Sequence, residues 1–170
     1  MPEDNAQKPP LDKIAQASIE EARMVLPGIQ AIFGFQLMAL FNAKFADLPF
    51  VEQHLHYVAI LLLSVAIALI MAPAAYHRQA EPGYVSEFFV RLASAMIAVA
   101  MLPVMTALCL EVYIAGFLIL GDPMVSAAVA GVLFIGFAGL WYAFPLLARH
   151  RPLQNGGRSP TATASKHRSS

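Results

Sequence analysis

Four long apolar stretches constrain what this chain can fold into more than any other feature of its sequence. They run from about Leu26 to Phe45, from about Tyr57 to Ala75, within Phe88 to Leu120, and from about Val125 to Ala148. A helix of about 20 mostly apolar residues crosses a hydrocarbon core of roughly 30 Å, and it satisfies its own backbone groups where no water is present. The sequence therefore predicts an all-α fold, a membrane-embedded antiparallel four-helix bundle.

The composition supports this prediction and excludes several other classes of protein. Of the 170 residues, 58% are hydrophobic and 13% are charged, whereas soluble domains average about 45–50% and about 25%. The 11 basic and 11 acidic residues cancel, and the chain has one cysteine. These values exclude a chain that is disordered over most of its length, a basic nucleic-acid-binding protein and a disulfide-stabilised scaffold.

The third stretch is too long for one straight crossing. Its 33 residues would extend about 50 Å as a helix. Pro103 lies inside it and removes a backbone hydrogen bond, so we expect a kink there. We expect the span to end near Glu111, with residues 112–120 as an interfacial continuation or a turn.

The two ends of the chain differ from the stretches between them. Residues 1–10 and 152–170 are polar and predicted to be disordered, which leaves residues 11–151 as the four-span domain. Between Leu11 and Val25, apolar residues recur at three- and four-residue steps, which predicts a short amphipathic helix ahead of the first span. Pro27 and the glycine that follows are expected to turn the chain into the membrane.

The basic residues predict the orientation. Ten of the 11 fall before the first span, between the second and third spans, or after the fourth: Lys8, Lys13, Arg23, Arg78, Arg91, Arg149, Arg151, Arg158, Lys166 and Arg168. Lys44 alone belongs to an outward turn. Because positive charge concentrates on the cytoplasmic side, we expect a multi-pass protein of the cell inner (plasma) membrane with both termini in the cytoplasm.

Several short segments also resemble a known family. They are Leu26–Gln30, Phe33–Phe35, Phe45, Tyr57, Ala72–Arg78, and Trp141 with Phe144–Leu147. In these segments the chain is similar to a family of small bacterial membrane proteins of unknown function, whose members often carry the automatic label sodium:proton antiporter. The likeness covers roughly Leu11 to Arg151. It implies a fold and a membrane location, and no functional residue is carried over from it.

Polar side chains at membrane depth are the candidates for ion chemistry, because they are costly there. Glu111 is the one acidic residue that qualifies as a candidate for ion chemistry. It is either an interfacial carboxylate facing water or a proton or cation site reached from outside. Gln30 and Gln36 are the other candidates. On a helix these two and Asn42 lie about 120° apart, which favours separate hydrogen bonds to neighbouring helices over a continuous polar pathway.

Other residue types give weaker signals. His54 and His56 are expected in the outward turn beside Asp47 and Glu52. Their i, i+2 spacing places them on opposite sides of a helix, so we predict no metal site. Cys109 is expected to be a small core residue. We find no nucleotide-binding glycine loop, no zinc-binding helix and no serine–histidine pair with an obvious orienting acid. We therefore expect no catalytic residue, no cofactor and no enzyme activity.

Glycines make the fourth span the best candidate for close packing. Gly131, Gly136 and Gly139 would allow a neighbouring helix to approach, either within the bundle or between subunits.

Two functions remain open from the sequence. The first is a structural or accessory membrane protein, favoured by the nearly charge-free interior. The alternative is a small ion- or proton-coupled transporter, assembled as an oligomer because four helices enclose little cavity. The expected partner is the lipid bilayer, and we expect no nucleic-acid partner. A homo-oligomer remains open, and the sequence does not identify an ion substrate. Convergence of Glu111 with Gln30 and Gln36 on a hydrated cavity would favour transport.

Overall fold

A computed structural model describes residues 11–81 and 84–149, and in these ranges the chain is helical, without strands. The helices are α1 (Leu11–Ala39), α2 (Ala43–Ala46), α3 (Phe50–Ala80), α4 (Glu87–Leu120), α5 (Pro123–Ala138) and α6 (Phe144–Arg149), with a π-helical turn (Gly139–Ala143) between the last two. The two tails predicted to be disordered lie outside the described residues.

Four helical segments are long and apolar enough to cross a membrane. They are Lys13–Ala39, Phe50–Ala80, Glu87–Leu120 and Pro123–Ala148. Each contains or overlaps one of the four apolar stretches of the sequence, which confirms the predicted all-α bundle.

The predicted boundary between an amphipathic helix and the first span is wrong. α1 is one helix that continues through Pro27. Proline in a helix interior costs a hydrogen bond, but α1 packs against the core on both sides of it, through Ala22 before it and Ile29 and Ile32 after it. Tertiary packing of this kind supplies most of a helix's stability in proteins, which accounts for a helix that is unbroken across Pro27.

Residues 112–120 form a helical continuation of the third span, which was one of the two alternatives expected for them. α4 has 34 residues and runs through Pro103 to Leu120. Its last turns are held by packing, since Ile114 is buried. The helix ends at Gly121, whose φ of 69° lies in the left-handed region and whose N–H donates to the Phe117 carbonyl at 2.9 Å.

α3 and α4 form the central pair of the bundle. α1 packs against both of them, and α5 packs chiefly against α4. The core between α1, α3 and α4 is small and apolar: Ile29, Ala59, Leu63, Ala66, Ile70, Ala100, Val104 and Ala107. Its four alanines allow the helix backbones to approach closely. Large apolar side chains on the outer faces are exposed, as expected for surfaces that face lipid.

α4 and α5 approach each other closely at Gly116, a glycine that was not among those selected from the sequence. A Cβ atom on Gly116 would lie 3.1 Å from the Ser126 hydroxyl oxygen, and Ser126 is fully buried. A Cβ on Gly131, Gly136 or Gly139 would meet nothing within 4 Å. These three glycines therefore do not pack tightly within the bundle, and their packing between subunits, the other alternative, stays a prediction.

Candidate functional site

Three helices bring polar side chains together at one end of the bundle. The Gln36 side chain of α1 donates from Nε2 to Glu111 Oε1 of α4 at 2.9 Å. His56 Nδ1 of α3 lies 2.9 Å from the same oxygen, and His56 Nε2 lies 3.0 Å from the backbone carbonyl oxygen of Gln36. The cluster of Gln36, His56 and Glu111, here called the proton cluster, therefore links α1, α3 and α4.

The geometry fixes the number of protons in this cluster. A carbonyl oxygen only accepts hydrogen bonds, so the His56 Nε2 that faces the Gln36 carbonyl must carry hydrogen. One proton must also lie between His56 Nδ1 and Glu111 Oε1. Without it, the lone pair of Nδ1 would face the negatively charged carboxylate oxygen and repel it. The pair is either imidazolium with carboxylate or imidazole with carboxylic acid. In both states its net charge is zero.

The proton cluster is mostly shielded from its surroundings. Gln36 is 4% exposed and His56 is 2% exposed, whereas the Glu111 side chain keeps 27% of its surface accessible. The Phe45 ring of α2 covers His56, with ring centroids 5.2 Å apart. The short α2 segment thus acts as a cap over the histidine and leaves Glu111 as the accessible member.

Glu111 borders a cavity of about 440 Å³ at the end of the bundle. His56, Lys44 of α2 and the last turns of α4 also border it. Lys44 is the basic residue with the longest side chain among the described residues that border this cavity, which His56 and Glu111 also border. A proton or a small cation could reach the carboxyl group through this space without crossing the core.

A second carboxylate lies one helical turn from His56. Glu52 of α3 is 5% exposed, and it accepts a hydrogen bond from the Tyr113 hydroxyl at 3.2 Å through Oε1. Its Oε2 is buried and has no partner among the described residues. Glu52 is therefore a buried acceptor with one position open for a donor or a water molecule.

The structure unites two of the three residues selected from the sequence. Gln36 and Glu111 are hydrogen-bonded to each other. Gln30 is exposed and forms no side-chain hydrogen bond with the described residues. Asn42 caps α2, where its Oδ1 accepts from the Lys44 N–H at 3.0 Å. The three polar residues of this segment do not form one pathway.

His56 is the member of the proton cluster that was not among the candidates selected from the sequence. It was expected in a turn, but α3 begins at Phe50. His54 is exposed, with Nδ1 2.7 Å from the Phe50 carbonyl oxygen, while His56 is buried. The available signal was the stripe that His56 shares with Ala59 and Leu63, because steps of three and four residues place all three on the inner face of the helix.

The middle of the bundle holds no comparable group. The Ser64 hydroxyl donates to the Ile60 carbonyl oxygen of its own helix at 2.9 Å, and Thr106 does the same with Leu102 at 2.9 Å. The buried side chains there are those of the apolar core. Among residues 11–81 and 84–149, no group of three or more His, Cys, Asp or Glu residues could hold a metal ion.

At the opposite end, a buried carboxylate closes the turn between α3 and α4. Glu81 is 5% exposed and accepts from the Ser86 hydroxyl at 2.7 Å, the Ser86 N–H at 3.2 Å and the Tyr76 hydroxyl at 3.2 Å. The Ser86 hydroxyl also accepts from the Phe89 N–H at 3.0 Å and so caps α4. The hydrogen bonds from Ser86 hold the pKa of Glu81 below its ordinary value of 4.5.

Comparison with known proteins gives one match. A family described as a family of unknown function, DUF6328, matches residues 4–145. No curated protein and no solved structure matches the chain.

Proposed function

Since the chain belongs to DUF6328, a family of unknown function, we propose its role from its own residues, as an accessory or structural membrane protein that carries no ion across the bilayer. The observation that carries this proposal is the apolar core. Ion pathways through membranes are lined by polar or ionisable groups. Between the proton cluster and the turn at Glu81, the core consists of alanine, leucine, isoleucine and valine.

The proposed location is the cell inner membrane, with both termini in the cytoplasm. Two exposed arginines support this orientation, Arg78 near the end of α3 and Arg91 near the start of α4. Lys44 lies at the other end, beside the proton cluster. Under the positive-inside rule, the cluster then faces away from the cytoplasm.

The proposal includes the absence of enzyme activity. It is supported by the sequence, which has no recognisable catalytic motif. The proposal also includes no nucleic-acid partner, because the basic and acidic residues are equal in number. No cofactor is included in the proposed role.

One observation favours a second candidate, a small proton-coupled transporter. Glu111, His56 and Gln36 converge beside a cavity, and a carboxyl–imidazole pair that holds one proton is a chemically suitable carrier. Transport by this route would require the core to open or a second copy of the chain to complete the path.

Flux measurements distinguish the two candidates. Purified protein is reconstituted into liposomes that contain a pH-sensitive dye, and a proton or sodium gradient is imposed. The proposal expects the wild-type protein and Glu111→Gln to match empty liposomes. Flux that disappears in Glu111→Gln and persists in Glu87→Gln, which changes an exposed carboxylate, would establish the transporter and overturn the proposal. Flux unchanged by either substitution would overturn it as well and would remove the proton cluster from the transport path.

A further inference from the structure

A second cavity lies at the end of the bundle opposite the proton cluster. It is bordered by the first half of α1, the end of α3 and the start of α4, it is open on one side, and its volume is about 670 Å³. Ligand sites typically measure about 300–1,000 Å³. The side chains of Leu26, Ile70, Phe89 and Ile97 form much of its wall, so an alkyl chain would be well accommodated there.

The border of this cavity carries positive charge. Arg23 of α1 and Arg78 of α3 border it, and no acidic residue among those that the structure describes does. Both arginines are exposed, and neither forms an ion pair with a carboxylate of the described residues. The nearby Glu81 is committed to Ser86 and Tyr76. Two guanidinium groups are therefore available to an anion.

A histidine adds a polar group to the same border. His77 packs its ring against Phe89, with centroids 5.0 Å apart. Its Nδ1 is buried and has no hydrogen-bond partner among the described residues. This nitrogen provides a hydrogen-bonding position in a cavity that is otherwise apolar apart from the two arginines.

We propose that this cavity binds an anionic phospholipid from the surrounding bilayer. One acyl chain lies along the apolar wall, and the phosphate lies between Arg23 and Arg78. Charge complementarity favours a lipid of net negative charge, because a zwitterionic headgroup would bring its own cation towards the arginines. Ala74 and Met71 border the cavity and are exposed, so an acyl chain can enter from the lipid side. The proposal depends on membrane embedding and is independent of the proposed absence of transport.

The headgroup is tested by lipid titration of the purified full chain in detergent. Native mass spectrometry compares phosphatidylglycerol with phosphatidylcholine of the same acyl chains. We expect phosphatidylglycerol to be retained more strongly, by on the order of fivefold for each arginine. The double variant Arg23→Gln/Arg78→Gln should lose this preference. The control Arg91→Gln should keep it, because Arg91 is an exposed arginine near the same end that pairs with Glu87.

The acyl chain is tested with a second pair of variants. Ala74→Trp places an indole in the cavity and should weaken the binding of both lipids, whereas Ala75→Trp changes the next exposed residue, which does not border the cavity. Equal retention of the two lipids by the wild-type protein would overturn the proposal. A preference that survives the double arginine variant, or that Arg91→Gln removes equally, would overturn it too. Equal effects of the two tryptophans would exclude the cavity as the position of the chain.

Discussion

Four atoms determine where the proton shared by His56 and Glu111 lies. The Gln36 carbonyl oxygen fixes hydrogen on His56 Nε2, and Glu111 Oε1 then requires one more proton towards Nδ1. A net charge of zero lowers the cost of placing a carboxyl group and an imidazole in a poorly solvated position. The cluster therefore places two ionisable residues in the bundle without adding net charge to its nearly uncharged interior.

The first prediction concerns the protonation of His56. Its Nε2 should carry hydrogen in every state of the folded protein, and the Nδ1-protonated neutral tautomer should be absent. Nitrogen-15 NMR of histidine-labelled protein checks this directly, with His56→Ala used to identify the His56 signal among those of the five histidines. A neutral His56 with hydrogen on Nδ1 alone would contradict the proton assignment.

The second prediction compares the two neighbouring histidines. His56→Ala leaves the Gln36 carbonyl and Glu111 with fewer partners in a buried position, so the free energy of unfolding should fall by about 1–3 kcal/mol. His54→Ala changes an exposed side chain and should alter it by less than about 0.5 kcal/mol. Unfolding in mixed detergent micelles measures both. If the two variants lost the same free energy of unfolding, the hydrogen bonds of His56 that link α1, α3 and α4 would add no stability.

The third prediction concerns acid stability at the turn between α3 and α4. The folded-state pKa of Glu81 lies below 4.5, so its stabilising contribution is complete above that pH and is lost as the pH falls through the folded-state pKa. Ser86, Tyr76 and His77 are the groups that act on it. Glu81→Gln should therefore lose less stability than the wild-type protein below about pH 4.5.

Thermal unfolding across a pH series checks the Glu81 prediction. The control is Glu87→Gln, because Glu87 is exposed and pairs with the exposed Arg91 at 3.0 Å. Its pH profile should follow that of the wild-type protein. Superimposable profiles for all three proteins would exclude Glu81 as a source of acid sensitivity.

At the scale of elements, the α4–α5 contact depends on one glycine. Gly116→Leu would force a side chain into the position that Ser126 occupies, and overpacking of this kind costs about 1–3 kcal/mol. Gly136→Leu is the matched control, because it gains the same helix propensity in open space. Unfolding in mixed micelles should show Gly116→Leu as the less stable of the two. The reverse order would contradict the packing described here.

The existence of the spans could be predicted from the sequence, but their ends could not. Apolar length is a local property, and it was sufficient for all four helices. α1 continues through Pro27 and packs against α3 and α4, and α4 continues beyond Glu111 and packs against α5 at Gly116. Such contacts are not encoded in the pattern of one segment.

The candidate site was predictable to a similar extent. Glu111 and Gln36 could be selected because polar groups are rare in these spans. Their mutual contact and the role of His56 depend on which face each helix turns to its neighbours. The placement of His56 followed from the start of α3 at Phe50, which the sequence analysis put several residues later.

At the scale of the whole molecule, the two ends of the bundle differ in character. One end holds the proton cluster, and the other holds the arginine-bordered cavity. If both termini are cytoplasmic, Ala43→Cys should react with a membrane-impermeant maleimide in intact spheroplasts, and Gln79→Cys should react only after permeabilisation. Both are made in a Cys109→Ala background, and both positions are exposed. The opposite labelling pattern would reverse the proposed orientation.

The proton cluster also has a consequence for biosynthesis. Gln36 and His56 precede Glu111 in the chain, and a polypeptide is made from its N-terminus. When the ribosome delivers α4, the amide and the imidazole that receive its carboxyl group have already been synthesised. Glu111, whose carboxyl group is costly to place in a membrane, therefore enters the bilayer after its partners Gln36 and His56 have been made.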